Sequence, residues 1–457
     1  MLEGLKVLSR IWLTFISVGL VALFIASIAL GYYLYFEVPM NMEPLIVDYS
    51  TGQPVLRAVE SPHPYTPGWT DRLVLRVPYA KLRFENITLE GGDMLVVEQV
   101  DTAEKWTYIL NGTGVLTSTF YSGPDGTIKL VIRIVDDGDG KVAWGVKART
   151  YLTDIWALKA RPYLFIIVYP VALPAVPAWG LAAFMQAFFT AMIMACWIQN
   201  GGFVRTALRC WKRPFLKALR NPLFAMPFVA TALLVSEIGL TILMEALGVG
   251  AGLKVELPGP LSVLFEASYA VIAEEIGFRL IMIGLPLAVA ASAKAGGREG
   301  RLAAFLKGLF CPGSLDPGLR RELRGLMAFL ILVSSLVFGL THVLFGGWEA
   351  GKAVTATLAG IVAGICFTVY GFHASVLLHW FFNYQWMIWY VAYELTGQCV
   401  LEPELVLFCE LAVGALSLLV FLVQGLRLAV RRMREREERK IVEGFLFGRG
   451  GEPYLLG

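Results

Sequence analysis

Charge is scarce in this chain. Asp, Glu, Lys and Arg make up 16% of 457 residues against 57% apolar types, with a mean hydropathy of +0.64. That balance excludes a disordered or highly solvated chain and places the sequence in the membrane class. The net charge of +3 is too small, and too confined to connectors, to give a reason for nucleic-acid binding. Cysteine is sparse: the six residues Cys196, Cys210, Cys311, Cys366, Cys399 and Cys409 show no C-x2-C spacing, which implies neither a disulfide framework nor a zinc ribbon. No H-E-x-x-H metal motif occurs, no internal repeat of useful strength is visible, and the first apolar run lacks the small-residue cleavage site of a secretory leader. That run is expected to stay as an anchor.

Long apolar runs are abundant. A spanning helix needs about 20 apolar residues, and eight runs qualify, roughly at 11–36, 176–199, 222–247, 261–293, 326–346, 353–370, 372–393 and 403–427. Two connectors are strongly basic, one holding Arg205, Arg209, Lys212, Arg213, Lys217 and Arg220, the other Lys294, Arg298, Arg301, Lys307, Arg320, Arg321 and Arg324. The positive-inside rule puts both in the cytoplasm, and an even number of crossings puts both termini there too. Between the first two runs the texture changes to period-two alternation, as in Leu73-Val74-Leu75-Arg76-Val77, Lys129 to Val135 and Val142 to Lys147. Gly91-Gly92-Asp93, Gly123-Pro124-Asp125-Gly126 and Asp137-Gly138-Asp139-Gly140 punctuate it as turns. About seven strands in a sandwich or barrel are expected there, on the outer face. The proline-broken stretch 163–177 reads as an outer-surface or re-entrant lead-in to the second span.

The expected organisation is an all-α polytopic membrane bundle of about eight helices with an inserted all-β extracytoplasmic domain. Residues 1–37 form an anchor helix, 38–160 the β domain, 161–430 the membrane core and 431–457 a charged cytoplasmic tail.

Within the core, Glu274, Glu275 and Arg279 interrupt the fourth apolar run. A charge at the centre of a spanning helix costs about 2.5–3.5 kcal/mol on insertion scales, so three in six residues must pair or function. On an α-helix Glu275 and Arg279 share a face at i, i+4, leaving Glu274 available as a base in a low-dielectric cavity. His342 lies on the fifth run, and His379 and Asn383 share a face of the seventh. A carboxylate that takes a proton from water, an imidazole that orients it, and an imidazole plus amide that donate to an oxyanion make a hydrolytic set, provided that the three helices surround one cavity. The same residues also allow a divalent ion such as zinc bound by Glu274, His342 and His379, so metal against no metal stays open. A transporter, with Glu237, Glu245 and Glu410 marking a cation path, and a membrane-tethered binding protein acting through its β domain are the rival readings.

Glu274-Glu275-x-x-x-Arg279, Phe338-x-x-x-His342 and His379-x-x-x-Asn383, with Gly371-Phe372-His373-Ala374-Ser375 ahead of the last, resemble the ordered motifs of the CPBP family of intramembrane proteases, which includes the type II CAAX prenyl endopeptidases. The resemblance covers roughly residues 222–393. It implies an all-helical membrane core and peptide-bond hydrolysis of a membrane-anchored or lipidated substrate. It also implies that Glu274 and His342 activate water while His379 and Asn383 stabilise the oxyanion. The family is described both as metal-dependent and as using a glutamate-activated water alone. The β-rich segment is a departure from its minimal core.

Overall fold

The computed structural model describes residues 2–37, 46–48, 59–75, 79–101, 107–121, 123, 127–152, 159–160, 162–166, 169–210, 212, 215–254, 260–296, 300–396 and 402–447. The start of the expected β domain (38–45 and 49–58), the turn residues 124–126 and the end of the tail (448–457) lie outside them.

Helix α1 (Leu2–Tyr32) leads into the β region. There the alternation seen in the sequence becomes two antiparallel sheets. One has the order β1-β3-β8-β5-β6 (Ile46–Asp48, Thr70–Leu75, Ile128–Val135, Met94–Gln99, Thr107–Asn111). The other has the order β2-β9-β4-β7 (Val59–Glu60, Gly145–Leu152, Tyr79–Thr88, Gly114–Tyr121). Among the described residues nine strands thus stand where about seven were expected, and the arrangement is a sandwich of two open sheets. Leu73, Leu75, Leu95, Ile128, Leu130 and Ile132 of the first sheet meet Leu82, Phe84, Phe120 and Val146 of the second in one core. Each such side chain contributes about 1.5–3 kcal/mol when fully buried, so apolar packing alone can hold a domain without cysteine. A polar staple supplements it: the Tyr65 hydroxyl donates to buried Asp93, whose Oδ1 accepts from the Asp137 amide at 3.0 Å. Burial, with Asp93 beside it, pushes the Tyr65 hydroxyl up to about 12. Val142 to Trp144 do not join a strand; β9 starts at Gly145, and Trp144 stacks on His63 at 3.9 Å instead.

The lead-in 163–177 is strand, not helix. β11 (Tyr163–Ile166) and β12 (Tyr169–Ala172) form a hairpin, and β10 (Lys159–Ala160) pairs with β13 (Val176–Pro177). Prolines 170 and 177 fall on these short strands, where a missing amide donor is tolerated at an edge.

The helices that follow are α2 (Ala178–Ile198), α3 (Phe203–Cys210), α4 (Phe215–Ala218), α5 (Pro222–Ala246), α6 (Pro260–Glu274), α7 (Leu285–Lys294), α8 (Arg301–Phe310), α9 (Pro317–Glu322), α10 (Arg324–Leu344), α11 (Gly351–Val369), α12 (Phe372–Trp380), α13 (Trp386–Thr396) and α14 (Pro403–Phe447). Two π-helical stretches, Glu275–Gly284 and Phe381–Gln385, join α6 to α7 and α12 to α13 without a break. Seven helices among the described residues are long and apolar enough to cross a membrane, against the eight expected. The missing one is α12–α13, where His373, His379, Asn383 and Gln385 dilute the apolar content of a helix that is otherwise long enough. Gln385 is buried and His373, His379 and Asn383 are partly buried in the bundle, where composition is a poor guide to crossing.

If the basic connectors mark the cytoplasmic side, single cysteines placed at Asp139 in the sandwich and at Ser314 between α8 and α9, in a cysteine-free background, label from opposite sides of intact cells. Labelling of both by an impermeant reagent from outside overturns that orientation.

Candidate active site

The site begins with a buried carboxylate. Glu275 is wholly buried at the start of the first π-helical stretch, and its Oε1 lies 3.4 Å from Arg279 Nη2 and 2.9 Å from His379 Nδ1. Its Oε2 accepts from the Ser375 hydroxyl. The ion pair read from i, i+4 spacing is therefore present, with Arg279 1% exposed. Ser375 and His379 add two partners from α12, one turn apart on one face. Beyond its place in the stretch before His379, nothing in the sequence marked Ser375 as a partner.

Glu274, next in the chain, has its Oε2 3.5 Å from His379 Nε2. That oxygen is buried and has no hydrogen-bond partner among the described residues, and neither have Arg279 Nε and Nη1. No ion pair joins Glu274 to His342. His342 is oriented by its own helix. Its Nδ1 lies 2.8 Å from the Phe338 carbonyl, which only accepts, so Nδ1 carries the proton and Nε2 keeps a lone pair. Asn383 donates from Nδ2 to the Ala267 carbonyl at 3.2 Å, which among the described residues leaves its second N–H and its oxygen uncommitted.

These groups line one cavity of about 730 Å³, which Glu274, Arg279, His342, His379 and Asn383 all border. The convergence of the fourth, fifth and seventh apolar runs is thus met. Phe338 organises one wall. Its ring packs edge-on to His342 (4.6 Å between centroids) and to His379 (5.8 Å), and it carries the Arg279 guanidinium at 5.0 Å. Phe278 stands against Phe338 at 5.0 Å and Phe165 against Phe278 at 5.8 Å, so the β11–β12 hairpin closes that wall. Gly277 makes the approach possible: a Cβ there would stand 2.7 Å from the Phe165 Cβ and 3.0 Å from its carbonyl oxygen. Tyr269 donates to the Tyr163 carbonyl at 2.7 Å and pins the other end of the strand. Nothing in the proline-broken sequence announced this hairpin as a cavity wall.

The remaining ionisable residues separate. Glu237 borders the cavity, as does Lys352, which sits 4.7 Å over the Trp348 ring; Glu245 is exposed, and Glu410 is buried on α14. His373 is outside the cavity and meets Gln199 at 2.6 Å. At one end the cavity is bordered by Leu253, Phe345, Gly346 and Trp348, in segments at the opposite end of α10 from Arg324 and the basic connector.

The donor set does not fit a metal. Among the described residues, groups of three His, Cys, Asp or Glu ligand atoms within 4.8 Å of one another are Glu90, Asp137 and Asp139, and Asp93, Asp136 and Asp137, all in the sandwich; Glu274, His342 and His379 do not gather in this way. A zinc ion with ligand bonds of about 2.0–2.2 Å needs them to.

Because loss of one member of a buried pair leaves an uncompensated charge worth about 3–5 kcal/mol, Arg279→Ala lowers the melting temperature in detergent sharply, while Glu274→Gln leaves it near that of the parent. The reverse order exchanges the two roles.

Residues 257–385 match the family model described as type II CAAX prenyl endopeptidase Rce1-like, and every residue of the cluster lies within that segment. Comparison with curated proteins and with solved structures gives no match.

Proposed function

We propose that the chain, whose residues 257–385 match the family model described as type II CAAX prenyl endopeptidase Rce1-like, is an intramembrane endopeptidase acting on membrane-anchored or lipidated proteins. The observation that carries this reading is the meeting of a carboxylate oxygen without a hydrogen-bond partner among the described residues, an imidazole with a free lone pair and an amide around one cavity, beside a carboxylate that is fully committed to structure. A membrane-tethered binding protein has no use for that arrangement, and a transporter has no use for a neighbouring carboxylate locked by Arg279, His379 and Ser375. In this reading the α12–α13 segment is the eighth crossing.

In the proposed reaction a water is held between Glu274 and the Nε2 of His342. Glu274 takes its proton as the oxygen attacks the scissile carbonyl carbon. The developing oxyanion accepts hydrogen bonds from the Nε2–H of protonated His379 and from the uncommitted N–H of Asn383. Glu274 then returns the proton to the departing nitrogen as the C–N bond breaks, so that an acid and an amine leave. Arg279 and Glu275 touch no reacting atom here; they hold His379 and balance its charge. No step runs through a metal. Leu233, Phe382 and Met387 make much of the lining apolar, which suits a lipid-anchored or apolar substrate segment. Such a segment enters from the end bordered by Leu253 and Trp348, which under the positive-inside orientation is the side of the sandwich.

Purified protein releases a fragment from a membrane-anchored or lipidated peptide, and a chelator does not change the rate. Glu274→Gln and His342→Ala each lose about 10²–10⁴ in turnover. Asn383→Ala loses about 10²–10³ and keeps measurable activity with the acidic limb of its pH profile unshifted. Undiminished cleavage by Glu274→Gln sinks the assignment, and zinc-reversible inhibition by a chelator replaces the metal-free version.

A further inference from the structure

The basic connectors fold around a second cavity, also of about 730 Å³. Arg205, Arg209, Lys217, Arg220 and Arg320 line it, and among the described residues no carboxylate does. Elsewhere on the chain, cations near acids pair with them: Lys294 with Glu322, and Arg431 with Glu435 at 2.8 Å. A concave surface bearing one sign of charge repels itself and focuses anions.

The walls are built rather than fortuitous. Asn200, in the left-handed region at φ 54°, turns the chain from α2 into α3 with Gly201 and Gly202, and its Nδ2 donates to the Arg220 carbonyl at 2.6 Å. Asn221 donates to the Gln199 carbonyl at 2.8 Å, Tyr370 to the Leu219 carbonyl at 2.7 Å, and Arg320 to the Gly313 carbonyl at 3.0 Å. Three otherwise separate connectors are thereby tied into one rim. Among the described residues Arg205, Arg209 and Arg220 make no side-chain hydrogen bond or ion pair, and a planar guanidinium matches phosphate oxygens two at a time.

The position of α3 indicates the source of such a phosphate. Phe203, Ala207 and Cys210 are buried against the bundle, while Val204 and Leu208 are 49% and 69% exposed beside Arg205 and Arg209. A short helix with one face in the protein, apolar residues left outside and arginines flanking them sits at a lipid–water boundary.

We propose that this cavity binds a phosphate-bearing anion, supplied by the headgroup of an anionic phospholipid. The site is separate from the hydrolytic cavity: the two share no lining residue, and along α12 the seven residues from Phe372 to His379 rise about 10 Å, with Tyr370 at the edge of this site lying before the helix begins. Its test is therefore independent of protease activity.

Purified protein in neutral detergent is titrated with phosphatidylglycerol, with phosphatidylcholine or with inorganic phosphate, and the melting temperature is followed. Phosphatidylglycerol gives a saturable rise and phosphatidylcholine none. Arg205→Gln with Arg209→Gln weakens the response about 30-fold, from the share that each cation near an anionic surface contributes. Arg301→Gln with Arg324→Gln, outside the cavity, leaves it unchanged. Where the first pair fails to fold, Lys217→Gln with Arg220→Gln takes its place. If inorganic phosphate gives the same rise and displaces the lipid, the site holds and its ligand is a soluble phosphate compound. No response in the parent protein, or equal loss in both variant pairs, overturns the proposal.

Discussion

The site depends on one buried carboxylate being satisfied. Glu275 stands in the apolar interior, where an ionised group without partners costs several kcal/mol even after relaxation. Its partners come from two places: Arg279 on its own helix, and Ser375 and His379 on α12. Helix α12 is therefore fixed against the first π-helical stretch in both height and rotation, since a slip of one residue would remove the Ser375 and His379 contacts and leave Arg279 as the partner from its own helix. Glu274 inherits its position from that arrangement. Two of the three motif-bearing helical segments also contain π-helical turns, a feature that recurs at functional sites. The wider turn at Glu275 brings successive side chains closer in angle than an α-helix does. This accounts for Glu274 and Glu275 both reaching His379 when an α-helical wheel sends Glu274 elsewhere.

Phe338 is the second constraint, and it acts through three different groups. Its carbonyl fixes the tautomer of His342, its ring faces both imidazoles, and its π-face carries Arg279. An aliphatic residue would fill the space but give up the attraction for the guanidinium. Ser334, one turn earlier on α10, donates to the Phe278 carbonyl at 2.7 Å and holds the same helix against the π-helical stretch. On the far side of α10, Gly339 lets α11 come so close that a Cβ there would meet Thr357 and the Ala353 carbonyl. The wall is thus held from both sides by small or hydrogen-bonding residues, the usual means of close packing where lipid gives no hydrophobic drive.

Periodicity carried most of what the sequence disclosed. Apolar runs marked the helices, alternation marked the sandwich, and the interrupting charges marked the site, because each is a local pattern with a direct physical cause. The i, i+4 relation of Glu275 and Arg279 was legible for the same reason. Ser375 was not, since its partner lies 100 residues away and a serine in an apolar helix usually bonds its own backbone. The β11–β12 hairpin was hidden by Pro170 and Pro174, which signal only that a helix is unfavourable. The count of crossings failed to carry over at α12–α13 because the polar residues of the site lower the very quantity used to find a span.

The contact between Glu274 and His379 constrains how the proposed chemistry starts. With Nδ1 of His379 donating to Glu275, an unprotonated Nε2 would face the Glu274 oxygen at 3.5 Å lone pair to lone pair. A proton shared by the two groups removes that repulsion. The charges in direct contact point the same way, because Glu274, Glu275 and Arg279 leave one net negative charge that one shared proton neutralises, with Glu237, Glu266 and Lys352 standing elsewhere on the cavity lining. That proton has two places to sit. On Glu274 it blocks the base and leaves His379 a neutral acceptor. On His379 it frees the carboxylate and makes the imidazolium a donor. A base ready to take a proton from water and an electrophile ready to meet the oxyanion are thus produced by a single proton position, and the cavity needs no net change of charge to reach it.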